Sequence, residues 1–474
     1  MSLTSALGTA QNSLLNTSRQ ATVVSTNISN SFDPNYSRRL AQTFSMVPGS
    51  RVIAITRLAN ESLFRQNLSA LSAFTGQNLL IEGMDRLNMA VNGHDHMTSP
   101  ATLIGKLQDA LQLYSSNPSN RNLAEAAVEA GRSVVASLNQ GSRDIQAIRT
   151  DMDRQISGAV SDLNTLLGQF EQVNGEVING TRLGRDVSDA LDQRDSLLKK
   201  ISEYVSISTM TRGDNDMVIT TSDGATLFET VPRKVSFEPT MAYFAGTTGN
   251  SIRVDGVPVV AGAGANTTAS GKLAAMLQLR EDVTVTMQAQ LDEIARSLIL
   301  TFSEAPGVPG LFEAPAYAYP GATLMDGLAG NIRVNPAYNS QLNGNPEKLR
   351  DGHTINLNPG NEASFSEALL GYLDRFEEPM AFDQAAGLFD NGTLLNFSTQ
   401  SIGWLEGSRQ AASMAAENKT ALHMRTDQAL MTATGVNIDQ EMAMLLDLEH
   451  SYAASARMLQ AVNDMLTTLM NAVR

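Results

Sequence analysis

The residues able to carry chemistry are few. The chain has 474 residues, no cysteine, and five histidines: His94, His96, His353, His423 and His450. Thiol nucleophiles, disulfides and cysteine-ligated zinc or iron–sulfur centres are excluded. His94-Asp95-His96 is the one local cluster with metal-ligand character, since two imidazoles beside Gly93 could share an ion with a third ligand from elsewhere. A solvated loop tip is the plainer reading. Asp214-Asn215-Asp216 lacks the glycine and glutamate of a calcium loop. It is read as a turn that also takes in Arg212-Gly213-Asp214. Gly262-Ala263-Gly264 is followed by Thr267 where a dinucleotide fingerprint needs glycine, so a loop is expected there. No glycine stands five residues before Gly271-Lys272, so it is not a P-loop. Asp192 and Asp195 flank Arg194 on a helical stretch, which reads as a salt-bridged surface. No Gly-x-Ser-x-Gly elbow or His-Glu-x-x-His pair occurs. Carboxylate pairs for glycoside hydrolysis lie far apart in sequence and stay open in principle, but nothing raises them above background. The inventory points away from an enzyme, and no cofactor or metal is expected.

Composition supports that direction. Acidic residues outnumber basic by 49 to 34, a net charge of −15, so neither nucleic acid nor an anionic membrane surface is expected as the main partner. Apolar residues make up 42%, enough to build a core, and no apolar run approaches the ~20 residues of a membrane span. The length suggests about three domains. The opening residues lack the positive cluster and apolar stretch of a Sec signal, and none is expected.

The two chain ends carry the strongest periodicity. Leu3, Leu7, Ala10, Leu14, Thr17, Ala21, Val24 and Ile28 alternate in steps of four and three, a heptad seam. Arg19 is the only charged side chain between Met1 and Phe32. A free surface helix normally shows a charged outer face, whereas this one shows Ser, Thr, Asn and Gln. Asp33-Pro34-Asn35 ends it. The other end mirrors this pattern with Leu445, Leu448, Tyr452, Ser455, Leu459, Val462, Leu466, Leu469 and Val473. Two such helices invite a coiled coil between the ends; ordinary helices of an intramolecular bundle are the alternative.

Between them, helical periodicity covers about 59–87, 100–114, 121–177 (one or two helices), 187–204, 271–302, 365–373 and 392–431. Ser99 is the expected cap of the second of these, with Pro100 at its first position. From Val205 the period changes to two, and strand-like runs follow at 217–221, 226–228, 235–237, 252–254 and 257–260. Residues 305–395 are proline-punctuated and loop-rich, with a short strand at 331–334. The expected fold is mainly α with a small inserted β domain, terminal helices in a coiled coil, and a long-helix bundle built from both halves of the chain. The expected domains are 1–35 with 435–474, 36–204 with 266–434, and 205–265 as an outer β insert.

The stretch Thr26-Asn-Ile-Ser-Asn-Ser-Phe-Asp-Pro-Asn-Tyr-Ser-Arg38 is similar to the N-terminal signature of bacterial flagellar rod, hook and hook-associated proteins, Asn-Asn-Ile-Ala-Asn-Ala-Asn-Thr-Pro-Gly-Tyr. It keeps Asn27, Ile28, Asn30, Pro34 and Tyr36 and departs at Thr26, Ser29, Ser31, Phe32, Asp33 and Asn35. Ser37-Arg38 resembles the hook-associated branch. So do Gly435-Val-Asn-Ile-Asp-Gln-Glu-Met-Ala-Met-Leu-Leu446, Tyr452-Ala-Ala-Ser-Ala-Arg457, Leu191-Asp-Gln-Arg-Asp-Ser-Leu-Leu198 and Gly271-Lys-Leu-Ala-Ala-Met-Leu-Gln-Leu-Arg280.

The resemblance implies a non-enzymatic structural protein of the hook-filament junction, secreted unfolded through the flagellar type III channel. It implies self-association in a ring, with hook protein below and the second hook-associated protein above. An export chaperone would bind through the C-terminal helix; no nucleic acid and no membrane insertion are implied. The assembly residues would be Leu3, Leu7, Leu14, Val24, Asn27, Ile28, Asn30, Pro34, Tyr36 and Arg38 at one end. At the other they would be Leu445, Leu448, Tyr452, Arg457, Leu459, Val462, Leu466 and Leu469. Asn27 to Arg38 would set the turn out of the inner layer. Without partners, both ends would be disordered or only partly helical. Another axial protein (a second hook-associated protein or a hook subunit) is the nearer alternative, and a hydrolase carried in the β insert and 305–395 the more distant one.

Overall fold

The computed structural model describes residues 3–45, 50–258, 270–321 and 323–472. Gly262 to Gly264, Thr267 and Val473 lie outside them. The chain is mainly α, as its periodicity implies. In order come α1 (Leu3–Ser29), a hairpin of β1 (Arg39–Ser45) and β2 (Ser50–Arg57), α2 (Glu61–Asn92), α3 (Pro100–Ser116), α4 (Arg121–Arg182) and α5 (Ser188–Tyr204). Then follow β3 (Ile207–Thr211), β4 (Met217–Thr221), β5 (Thr226–Phe228), β6 (Val235–Ser236), β7 (Arg253–Val254) and β8 (Val257–Pro258). The second half holds α6 (Lys272–Gln278), α7 (Thr284–Thr301), β9 (Phe312–Glu313), α8 (Leu328–Asn331), β10 (Arg333–Val334), α9 (Lys348–Asp351) and α10 (Glu367–Glu377). It closes with β11 (Met380–Ala381), β12 (Asn391–Gly392), α11 (Leu394–Thr434) and α12 (Ile438–Ala472).

Two compact units divide the chain. One comprises 1–73, 162–235 and 419–474; the other comprises 74–161 and 236–418. These boundaries differ from those expected. The stretch 205–265 was expected as one β insert, but its strands form two separate three-stranded sheets, β3-β4-β5 and β6-β7-β8. The first sheet belongs to the first unit because it packs on the C-terminal part of α4. There Phe228 of β5 meets Phe170 of α4 edge-on at 4.9 Å. Helical periodicity alone cannot show such a division, since α2, α4 and α11 each contribute to both units.

The second unit has an ordinary helical core. Leu80, Met84 and Leu87 of α2, Ile104, Leu107 and Leu111 of α3, Leu138 and Ile145 of α4, and Leu291, Ile294 and Leu298 of α7 are all buried. Ser99 caps α3, its side chain accepting from Thr102 N. The region 305–395 is held to this core by Phe302, whose ring stacks on Tyr372 at 5.3 Å and meets Phe312 edge-on at 5.0 Å. A π turn at Leu279–Val283 separates α6 from α7. It turns the fully buried Arg280 onto Asp153, while Arg149 Nε donates to the Arg280 carbonyl at 3.1 Å.

Candidate assembly site at the paired chain ends

The first unit brings the two chain ends together. α1 packs along α12, and Ser13 Oγ lies 2.8 Å from Ser455 Oγ between them. On α12 the buried positions are Glu441, Leu448, Ser455 and Val462, one per heptad. On α1, Ala10, Asn16, Thr17, Val23, Val24 and Asn27 are buried. Of the expected seam, Leu448, Val24 and Val462 are therefore fully covered. Leu7, Leu14, Ile28, Leu445, Leu459 and Leu466 are half-covered. Tyr452, Arg457 and Leu469 face solvent, and Leu3 opens the helix. One helix covers only a narrow stripe of another, so the pair leaves apolar surface open. On α12 this includes Met442, Met444, Leu446, Met458, Met465 and Met470; on α1 it includes Leu15.

The resemblance residues meet at the point where the chain leaves this pair. Gly435 ends α11, donating N–H to Met431 O at 2.8 Å; a Cβ there would stand 2.5 Å from that carbonyl. Asn437 then caps α12, its Oδ1 accepting from Gln440 N at 3.1 Å. Glu441 follows in the first turn, where the helix dipole favours a carboxylate. It is fully buried. Its Oε1 accepts from Arg38 Nε at 2.6 Å and its Oε2 from Asn27 Nδ2 at 3.0 Å. Asn27 spends every polar atom of its side chain here. Nδ2 also donates to Arg39 O at 3.0 Å, and Oδ1 accepts from Tyr36 OH at 2.8 Å and Arg39 N at 3.0 Å. Arg38 N donates to Thr434 O at 2.7 Å.

Burial pushes the Tyr36 phenol up to about 12, against the opposing pull of Arg39, whose guanidinium lies 4.9 Å from the ring centre. Tyr36 thus remains a donor at neutral pH. Asp33 closes the turn by accepting from Asn35 N at 2.9 Å. Asn30, Pro34 and Tyr36 line a cavity of about 270 Å³ with Phe64, Leu191 and Leu430.

Sequence reasoning brought Asn27, Tyr36 and Arg38 to this elbow but did not single out Glu441 as a site residue. The signal was available: Glu441 stands one heptad before Leu448, an acid in an apolar seam. The β1–β2 hairpin also went unremarked, although 39–45 is strand-like and Pro48-Gly49 is a turn dipeptide. Asp192, read as a surface salt-bridge residue, is buried instead.

The two neighbouring histidines of the inventory have carboxylate partners instead. His94 pairs with Asp95 at 3.3 Å and His96 with Glu406 at 3.5 Å. Among the described residues no cluster of His, Asp or Glu could hold a metal ion. Among them, too, no helix is long and apolar enough to cross a membrane. The arrangement at the elbow is suited to holding two helices at a fixed exit.

The family model described as flagellar hook-associated protein FlgK helical domain matches residues 85–306. The one described as flagellar basal body rod FlgEFG protein C-terminal matches residues 428–472. The chain is 21% identical over 400 residues to flagellar hook-associated protein 1 of Bacillus subtilis (strain 168), covering 78% of this chain and 75% of that one. It is 24% identical over 220 residues to flagellar hook-associated protein 1 of Escherichia coli (strain K12), covering 43% of this chain and 39% of that one. Among solved structures, the flagellar hook junction protein FlgK from Burkholderia pseudomallei matches with a TM-score of 0.42 and 18% identity, covering 53% of this chain and 46% of that one. The alignments thus span three quarters of the Bacillus relative and less than half of the other two. The helical-domain match and both hook-associated protein 1 relatives support a place for this chain with the flagellar hook-associated protein FlgK family.

Proposed function

We propose that this protein is the adaptor of the hook-filament junction, a non-enzymatic subunit that self-associates in a ring. In this reading, hook protein lies below it and the second hook-associated protein above, and it reaches its place by type III export. The observation that carries the reading is the half-covered α1–α12 pair. Both ends of the chain are consumed in one helical pair, and the Met and Leu side chains left open on α12 suit further helices of neighbouring copies. Covering them contributes ~25 cal/mol per Å² of apolar surface removed from water. Methionine suits a surface that must meet more than one partner, because its unbranched side chain adapts. The same surface suits an export chaperone before assembly, with α12 as its footprint. Truncating 440–474 without loss of chaperone binding would refute that part.

The functional test is a deletion strain complemented with the intact chain or with chains lacking 1–30 or 440–474. The expected result is hooks without filaments and flagellin lost to the medium, rescued only by the intact chain. Normal filaments in the deletion strain would overturn the proposal.

A further inference from the structure

The base of the β1–β2 hairpin carries a like-charge pair. Arg39 and Arg57 stand directly opposite each other across the ladder, an arrangement that destabilises a strand pair. Both side chains are only 11% exposed, so water screens them poorly. They turn onto α5, where Asp189, Asp192 and Asp195 recur every three residues on one face. Asp192 bridges the two arginines. Its Oδ1 lies 2.7 Å from Arg57 Nε and its Oδ2 lies 3.5 Å from Arg39 Nη2. Asp189 pairs with Arg39 from the outside, and Asp195 does the same for Arg57. Burial raises the Asp192 carboxyl, and the two arginines pull it back down. Arg38 points the other way, to Glu441. Consecutive arginines therefore tie the elbow to α12 on one side and to α5 on the other, as strand alternation dictates.

We infer that Asp192 is a positioning residue that holds the base of the β1–β2 hairpin shut by neutralising the Arg39–Arg57 pair, so that the hairpin keeps its register only while docked on α5. Its consequence for assembly rests on the junction reading: α5 then sets the direction in which the hairpin leaves the elbow. The latch itself can be tested without reference to the flagellum.

The test is amide exchange on the purified full chain, read over 39–45 and 54–58 with α7 as internal reference. Asp192→Asn is expected to speed hairpin exchange about tenfold or more and leave α7 unchanged. Adding Arg57→Gln to that variant removes one repelling charge and is expected to restore most of the protection. Unchanged exchange in D192N would overturn the inference. So would an increase that Arg57→Gln does not reduce, since that is the mark of lost packing. If D192N opens α7 as well, Arg57→Gln alone decides: hairpin protection within about threefold of the parent is expected, and a loss as large as that of D192N contradicts the latch. Filament assembly by these variants reports on the junction reading separately.

Discussion

Arg38 donates from Nε to the Glu441 carboxylate at 2.6 Å across 403 residues of chain, and Glu441 is buried. The pair joins the first residues after α1 to the first turn of α12. It is asymmetric, because Arg38 keeps 21% of its side chain exposed while Glu441 keeps 1%.

That asymmetry orders the effects of mutation. Arg38→Ala leaves a buried carboxylate with Asn27 as its one side-chain donor, and is expected to cost about 3–5 kcal/mol. Glu441→Gln leaves an arginine that can still reach water and an amide that can still accept from it, so about 1–2 kcal/mol is expected. Denaturant midpoints of the two variants, with amide exchange read in 438–445, check the order. Equal costs would contradict it.

Asn27 offers a sharper test, because its carbonyl oxygen and amide nitrogen have different partners. Asn27→Asp replaces the donor to Glu441 with a second buried carboxylate. Like charges held this close disfavour ionisation of both. The folded-state pKa of the pair is thus raised above its unfolded value. The variant should lose stability at neutral pH and recover it as the pH falls and one carboxyl protonates. Thermal midpoints of the parent and N27D at pH 5 and pH 8 measure this; a gap between them that stays constant with pH would refute it.

Asp292 predicts a pH response in the second unit. Burial pushes its carboxyl from 3.8 up to about 7, against the opposing hydrogen bonds from Ala329 N, Gly327 N and Gln288. A carboxyl with a raised folded-state pKa contributes stability below 3.8 that is lost as the pH rises through about 7. The parent chain is therefore expected to lose stability at this site as the pH rises from 3.8 to about 7, and to level off above that. Asp292→Asn, which cannot ionise, is expected to flatten that part of the profile. Urea midpoints of both proteins across this range provide the check.

The terminal seam predicts a separation of folding from assembly. Leu448 and Val462 are 8% and 5% exposed, at the centre of the α1–α12 contact. Leu448→Asp or Val462→Asp places a charge there and is expected to abolish filament formation, while thermal unfolding of the second unit stays unchanged. In the free parent chain at low concentration, the ends of the pair far from the elbow, about 3–20 and 450–472, are expected to exchange rapidly and to gain protection on assembly. Full protection of both stretches in the monomer would contradict this.

Much of the architecture is legible along the chain, for reasons that particular elements make plain. α4 and α11 announce themselves because a 3.6-residue period persists over many turns, and β4 because a β-branched run is cut by turn residues. Ser99 and Gly435 mark a helix start and a helix end through local chemistry. What stays hidden depends on distant residues. The heptad register marks Glu441 as an acid in an apolar seam, but its partners Asn27 and Arg38 come from the other end of the chain. Asp192 reads as solvent-facing because nothing local reveals the two arginines that cover it. The cut between the β3–β5 and β6–β8 sheets follows from packing of the first on α4, which strand periodicity does not encode.

The absence of cysteine makes one measurement especially direct. Ser13 and Ser455 face each other with their hydroxyl oxygens 2.8 Å apart, so Ser13→Cys with Ser455→Cys places two thiols in contact in an otherwise thiol-free chain. The double variant would be expressed in the deletion strain, and its hooks isolated under oxidising conditions and run on a non-reducing gel. Pairing of both ends of the same chain within the junction requires filaments to form and the protein to migrate as a monomer with an internal disulfide. Free thiols, or disulfides found only between chains, would contradict the account.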